Sequence, residues 1–293
     1  TVPDVKFKMC NVVNYAFATV TNTGGLVLGN AGHLLEVKNK AKANGARVFI
    51  SVSGLAADFK TMASVPAGRT SFINQVMNLV RTYGMDGVDI DWEFPRTDDG
   101  TDVTFTALMK QLSDSCHTGS KYYLTAAITA GKYAGAVRDA ISSELWQGNY
   151  VDWFNIMSYD DFSTTQPYKH HCDYTLATTS LNYWINTRGM PGAKAVLGIA
   201  GYGRPSGITQ TNTVLSFSDI LSRGGNPQSD SAIVTNGGFS YYTIYYNGIT
   251  TVKKKAILSK QMANGIMLWE KSHDAHDNNS LLKAVCDTVG RAY

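Results

Sequence analysis

The chain has 293 residues, 44% hydrophobic and 17% charged, with a formal net charge of +3. This balance excludes a disordered or low-complexity protein, and with Lys253 to Lys255 as the one basic run it gives no basic stripe for nucleic acid. No apolar run approaches the ~18 residues of a membrane span, and the length suits one large α/β domain.

The first ten residues carry no clear element, and the start at Thr1 reads as a mature-looking sequence without a signal peptide, so targeting is not legible here. Asn11 to Val20 reads as a buried strand ending at the turn Asn22 to Gly25. His33 to Asn44 has helical spacing through Leu34, Leu35, Val37 and Ala41, with Gly45 as its stop. Arg47 to Ser53 is the next strand, and Ser71 to Tyr83 a helix closed by Gly84. Beyond the strand that begins at Gly87, helices are predicted at Asp102 to Cys116, Val137 to Leu145, Leu176 to Thr187, Val252 to Met262 and Ser280 to Val289. Strands are predicted between them at Tyr122 to Ala130, Trp153 to Tyr159, Ala195 to Gly201 and Gly265 to Trp269.

Strands alternating with helices predict a parallel sheet, here a TIM (β/α)8-type barrel formed by residues 1–293 as a single domain. Only seven strands can be counted where a closed barrel has eight, so one strand is expected to be missing or atypical. Tyr202 to Thr251 reads as a short irregular insertion before the last strand, with a short helix at Phe217 to Leu221 and an aromatic patch at Phe239 to Tyr246. Cys10, Cys116, Cys172 and Cys286 form no CxxC pair; isolated thiols are expected, with one or two disulfides in three pairings as the alternative.

The stretch Asp86 to Glu93, DGVDIDWE, concentrates the chemistry. Val88, Ile90 and Trp92 alternate with Asp89, Asp91 and Glu93, the period of a strand with its acids on one face. Like charges this close cannot all ionise at neutral pH, so at least one acid is expected to keep a proton, which suits a general acid. Glu93 is the expected donor, with Asp91 and Asp89 in line behind it, while Asp86 and Gly87 shape the start of the strand. The bland alternatives are a metal-binding acidic strand or a solvated edge.

DGVDIDWE resembles the DxxDxDxE signature of glycoside hydrolase family 18, the chitinases and their relatives. Other strand ends agree: Met157-Ser158-Tyr159-Asp160 is similar to the family's MxYD element, and Trp269 stands where the family has a tryptophan on its last strand. Ser51-Val52-Ser53-Gly54 is similar to SxGG, with Ser53 in place of a glycine, and Tyr15 to Ala18 resembles the family's second strand, which implies that the strand missing or atypical here is the first. The resemblance implies the barrel fold and a retaining, substrate-assisted cleavage of β-1,4-linked N-acetylglucosamine, as in chitin or chitooligosaccharides.

In that scheme Glu93 protonates the leaving oxygen, the substrate's own acetamido group attacks, Asp91 steadies the intermediate, and Asp89 shares its proton. Tyr159 would hold the acetamido carbonyl, Asp160 a sugar hydroxyl, and Trp269 the floor of the sugar, with Phe17, Tyr15, Met157 and Ser51 as further substrate-binding positions. No cofactor or metal is expected, nor a nucleic-acid partner or membrane span; a monomer is favoured. The family also implies a secreted, periplasmic or cell-surface location. The insertion is short for the α+β domain of some chitinases, so a shallow, open groove is expected; Tyr241, Tyr242, Tyr245 and Tyr246 would either stack on sugars or pack as a hairpin.

Two other activities remain open on the residues: an endo-β-N-acetylglucosaminidase acting on N-glycans, which would share the acids, and a non-catalytic sugar-binding lectin. Trp92 and the pair Tyr159-Asp160 favour the chitinase, and the presence of Glu93 opposes the lectin. His170 to Asp173 and His273 to Asp277 hold metal-ligand types without zinc spacing and read as cleft loops or plain surface.

Overall fold

The computed structural model describes residues 4–119 and 121–293. These form two compact units, one of residues 4–155 with 188–194, the other of 156–187 with 195–293. The first unit runs α1 (Asp4–Lys8), β1 (Val12–Val20), β2 (Leu26–Leu28), α2 (Ala31–Ala43), β3 (Arg47–Ser53), α3 (Ala56–Ser64) and α4 (Pro66–Tyr83). It continues through β4 (Gly87–Ile90), α5 (Thr101–His117), β5 (Tyr123–Thr129), α6 (Ala136–Asp139) and α7 (Glu144–Gln147), and ends within β6 (Trp153–Met157).

Strands β1, β3, β4 and β5 pair in parallel in that order. Val48, Phe49, Ile50 and Val52 on β3 and Val88 and Ile90 on β4 are all fully buried. Such near-continuous apolar runs are what a parallel strand covered on both faces requires. The strand pattern is legible in the sequence, but boundaries move. α4 begins at Pro66 rather than Ser71, because proline at the first helical position already has the helical φ. α3 is an addition to the predicted elements; Leu55 before it offers no capping side chain, so the sequence carries no start signal.

Residues 4–8, where the sequence carries no clear element, are helical with Phe7 buried, so among the described residues no strand precedes β1, in keeping with a missing first strand. On its side away from β3, β1 pairs antiparallel with β2, from Ala18↔Leu28 to Val20↔Leu26. β4 ends at Ile90, so Asp91, Trp92 and Glu93 run past the ladder, and only the first half of the predicted acidic strand is strand.

The second unit contains the end of β6, α8 (Tyr174–Leu181), β7 (Ala195–Ala200), β8 (Tyr202–Pro205), β9 (Leu215–Ser216) and α9 (Phe217–Ser222). It closes with β10 (Ser231–Asn236), β11 (Phe239–Tyr245), α10 (Ile249–Met262), β12 (Gly265–Trp269) and α11 (Leu281–Val289). β7 and β12 are parallel, so all seven predicted strands are present. The predicted helix at Leu176 to Thr187 is α-helical only to Leu181 and π-helical from Asn182 to Thr187.

The segment read as irregular is regular. β8 to β11 form a four-stranded antiparallel sheet in the order β10-β11-β8-β9. Tyr242 and Ile244 on β11 alternate inward and join Val234, Phe217, Ile220 and Tyr246 in a core shared with Val252 and Ala256 of α10 and Leu281 of α11. The turn at Gly237-Gly238, with φ of 60° and 85°, closes the β10–β11 hairpin. Of the four tyrosines, Tyr242 and Tyr246 are therefore core, Tyr245 is half-buried, and Tyr241 stands 84% exposed.

The histidine-containing stretches are not plain surface either. His171, Cys172 and Asp274 are wholly buried. All four cysteines are free thiols. No helix among the described residues is long and apolar enough to cross a membrane. Asp274 accepts from Ser280 Oγ at 2.5 Å and from the Leu281 and Leu282 N–H groups at 2.7 and 3.3 Å, which satisfies the start of α11. Asp274→Ala is expected to destabilise the protein by about 1–3 kcal/mol, the usual result of leaving buried donors unpaired; urea unfolding measures it.

Candidate active site

Ser51, Asp89 and Thr125 sit opposite one another in the registers of β3, β4 and β5, so one inward row carries three polar side chains. Ser51 Oγ donates to Asp89 Oδ2 at 2.8 Å, and Thr125 Oγ1 and Asn155 Nδ2 donate to Oδ1 at 2.5 and 3.1 Å. Every member of this group is buried. Burial raises the Asp89 pKa, and the three hydrogen bonds pull it back without cancelling the rise.

Asp91, two residues on, is also buried, and its Oδ1 has no hydrogen-bond partner. Burial, then the charges of Glu93 and Asp89, push its pKa up to about 8. At neutral pH Asp91 thus keeps a proton. Glu93, two residues further, is exposed. The alternation places two buried acids with raised pKa values, Asp91 protonated at neutral pH, in series behind a carboxyl that solvent and ligands can reach.

The other predicted positions of this unit divide. Asp86 accepts from the Val48 N–H at 2.8 Å and from Lys42 Nζ at 3.0 Å, which ties the start of β4 to β3 and α2. A Cβ on Gly87 would lie 2.5 Å from the Tyr123 carbonyl oxygen, so only glycine permits this approach of β5. Tyr15 is anchored: its hydroxyl lies 3.1 Å from His33 Nδ1 and donates to the Asn30 carbonyl at 3.3 Å. A bulge between Ala16 and Ala18 breaks the alternation that would have put Tyr15 and Phe17 on one face. Phe17 is half-buried.

In the second unit, Ser158 Oγ donates to the Gly198 carbonyl at 2.6 Å and fixes the backbone between Met157 and Tyr159. A Cβ on Gly198 would lie 2.9 Å from Tyr159 Cε1, so the Tyr159 ring rests on that glycine. Tyr159 and Trp269 pack with Cys172, Ala200 and Tyr202, and the Tyr159 hydroxyl lies 4.0 Å from Met267 Sδ. Asp160, its side chain 43% exposed, accepts at Oδ1 from the Tyr202 hydroxyl at 2.7 Å and from Arg204 Nε at 3.0 Å. Partial burial raises the Asp160 pKa; hydrogen bonds from His171 and Tyr202 and the Arg204 charge outweigh it, and the net direction is down.

Thr125, Asn155, Tyr202, Arg204 and His171 join the predicted residues. Thr125 and Asn155 are visible in the sequence as polar residues inside the apolar strand runs YLTAAIT and WFNIM, and Tyr202-Gly203-Arg204 begins one residue after the end of β7. Among the described residues, no group of three His, Cys, Asp or Glu side chains converges to hold a metal ion.

The sequence model of the glycosyl hydrolases family 18 matches residues 2–274. The chain belongs to that family. Probable chitinase 10 of Drosophila melanogaster is 27% identical over 275 residues, covering 83% of this chain and 12% of that protein, so the chain spans a small part of that relative. A crystal structure of a chitinase from Bacteroides thetaiotaomicron superposes with a TM-score of 0.82 at 24% identity, over 97% of this chain and 90% of that one. A mutant of the class V chitinase from Nicotiana tobaccum, in complex with NAG4, gives 0.80 at 19% identity, over 98% and 94%. The fold is the family's (β/α)8-type barrel.

Two consequences of the family 18 residues can be measured. Asp91 has a folded-state pKa above its ordinary value, so its contribution to stability is present below about pH 4 and is lost as pH rises toward about 8. Between pH 5 and pH 9, urea midpoints are expected to show the parent losing roughly 1–3 kcal/mol more than Asp91→Asn; equal losses would remove the proton from Asp91. Gly198→Ala is expected to destabilise by about 1–3 kcal/mol through overpacking against the Ile156 carbonyl and Tyr159.

Proposed function

We propose that the chain is a retaining, substrate-assisted glycoside hydrolase that cleaves β-1,4-linked N-acetylglucosamine polymers, chitin or chitooligosaccharides. The observation that carries this reading is the series Asp89, Asp91, Glu93: two buried acids with raised pKa values leading to one exposed carboxyl. Such a series supports proton transfer to and from Glu93 without placing three negative charges side by side. The chitinase names of the relatives and the NAG4 bound in the Nicotiana structure favour an N-acetylglucosamine polymer. A polymer of that kind outside the cell calls for an exported enzyme, secreted or at the cell surface.

Glu93 protonates the glycosidic oxygen as the substrate's acetamido oxygen attacks the anomeric carbon; this scheme needs no protein nucleophile. Asp91 passes its proton to Asp89 as charge develops and, as a carboxylate, takes the acetamido N–H and stabilises the cyclic cation. Glu93 then withdraws a proton from the water that opens the intermediate, which leaves the configuration retained. Tyr159 donates to the acetamido carbonyl, Asp160 holds a sugar hydroxyl, and Trp269, Met157 and Phe17 supply apolar surface. Ser51 acts through Asp89, to which its hydroxyl donates, rather than on the sugar.

Glu93→Gln is expected to lower kcat on a chromogenic chitotrioside by about 10²–10⁴-fold, the usual contribution of a general acid and base, while binding of chitotetraose persists. A folded parent that binds chitotetraose and never hydrolyses it would replace the hydrolase with a lectin. A parent that neither binds nor cleaves chitooligosaccharides but trims an N-glycan would move the substrate.

A further inference from the structure

One side chain that holds Asp160 has no place in the scheme above. Asp160 has φ of 62°, a left-handed conformation uncommon for a residue with a Cβ. Turned this way, its backbone and its side chain converge on a single nitrogen of His171. The Asp160 N–H donates to His171 Nδ1 at 3.2 Å, and Asp160 Oδ1 lies 3.5 Å from the same atom. Across the ring, His171 Nε2 lies 3.2 Å from Cys172 Sγ.

The surroundings hold the ring in this seat. His171 and Cys172 are wholly buried. The Cys172 N–H donates to His170 Nδ1 at 3.1 Å, and Lys255 Nζ donates to the Cys172 carbonyl at 2.7 Å. The Tyr202 ring lies 5.2 Å from the His171 ring and the His170 ring 6.0 Å from it, nearly parallel. The titratable and charged groups facing His171 and Asp160 are thus Cys172, His170, Tyr202 and Arg204, with Lys255 behind Cys172.

Nδ1 sits between a donor and an acceptor of the same residue, so the ring can serve Asp160 in either protonation state. As a neutral ring with its proton on Nε2, it accepts from the Asp160 N–H and donates to the Cys172 sulfur. As a cation it donates from Nδ1 to the Asp160 carboxylate and gives up the bond from the Asp160 N–H. Burial favours the neutral ring; the Cys172 sulfur and the Asp160 carboxylate more than offset it and raise the His171 pKa. A packing role alone would need neither nitrogen.

We propose that His171 is a positioning residue for Asp160: a buried imidazole, seated on the Cys172 sulfur, that fixes the direction of the carboxylate and keeps it charged. The catalytic consequence rests on the reading of this chain as a glycoside hydrolase in which Asp160 meets a sugar hydroxyl. The contact itself does not.

Three variants and one titration test it. His171→Leu keeps a similar volume without polar atoms, His171→Asn returns an amide near the place of Nδ1, and Asp160→Asn removes the carboxylate's charge. On a chromogenic chitotrioside, His171→Leu is expected to lose on the order of 10–100-fold in kcat/KM, mostly in kcat, as for a misplaced active-site group. His171→Asn should recover much of that loss, and adding His171→Leu to Asp160→Asn should cost less than about 2-fold more. Full activity in a folded His171→Leu, or an undiminished loss in the Asp160→Asn background, overturns the proposal.

The titration needs no substrate. Followed by nitrogen NMR of the imidazole, His171 should titrate at lower pH in Asp160→Asn than in the parent, because the carboxylate that favours its cation is gone. An unchanged titration overturns the proposal even where the parent is inactive on every chitooligosaccharide. Inactivity with a shifted titration overturns the functional reading alone, and His171→Asn with the titration decides the matter should His171→Leu fail to fold.

Discussion

The interaction on which the first unit depends is the triple hydrogen bond to the Asp89 carboxylate. A carboxyl in the middle of a parallel sheet is tolerable only when donors surround it, and here β3, β5 and β6 each lend one. Each donor comes from a different strand, so the interaction also specifies register: a slip of one residue in β3 or β5 would turn Ser51 or Thr125 to the opposite face. Asp91 has no such cradle. Its raised pKa is the direct result, and it places a neutral acid next to Glu93 at neutral pH.

That arrangement opposes stability to chemistry. Hydrophobic residues of similar volume in place of Asp89 and Asp91 would remove the desolvation penalty and the unpaired Oδ1. Their presence in an otherwise apolar sheet is the kind of local inconsistency that marks a functional site. In the second unit Asp160 shows the opposite solution: a partly exposed carboxylate supplied with Tyr202, Arg204 and His171, and so held in its charged form.

What can be read from the sequence follows from which signals are local. The seven strands and the acids Asp89, Asp91 and Glu93 appear through period two, and Met157 to Asp160 and Trp269 through their place at strand ends. α3 and the β8–β11 sheet escape for different reasons. The first lacks a cap, and the second alternates weakly because only Val234 in β10 and Tyr242 and Ile244 in β11 are buried. His171 reads as loop because nothing local distinguishes a buried imidazole from a surface one; its partner Asp160 lies eleven residues back, on the far side of a turn of chain. Ser51 reads as a substrate contact, whereas register gives its hydroxyl to Asp89.

The run Lys253 to Lys255 acquires a different meaning from the fold. Lys253 and Lys254 are exposed on α10, while Lys255 is wholly buried, its ammonium held by the neutral oxygens of Cys172 and Asn247. Burial lowers its pKa, and among the described residues no carboxylate is hydrogen-bonded to it. Of the three adjacent amines, Lys255 thus stands apart in its access to solvent, its hydrogen bonds and its lowered pKa. An amine-specific reagent applied briefly to the native protein would mark two of them, and modification of the third would record the opening of the packing beneath Cys172.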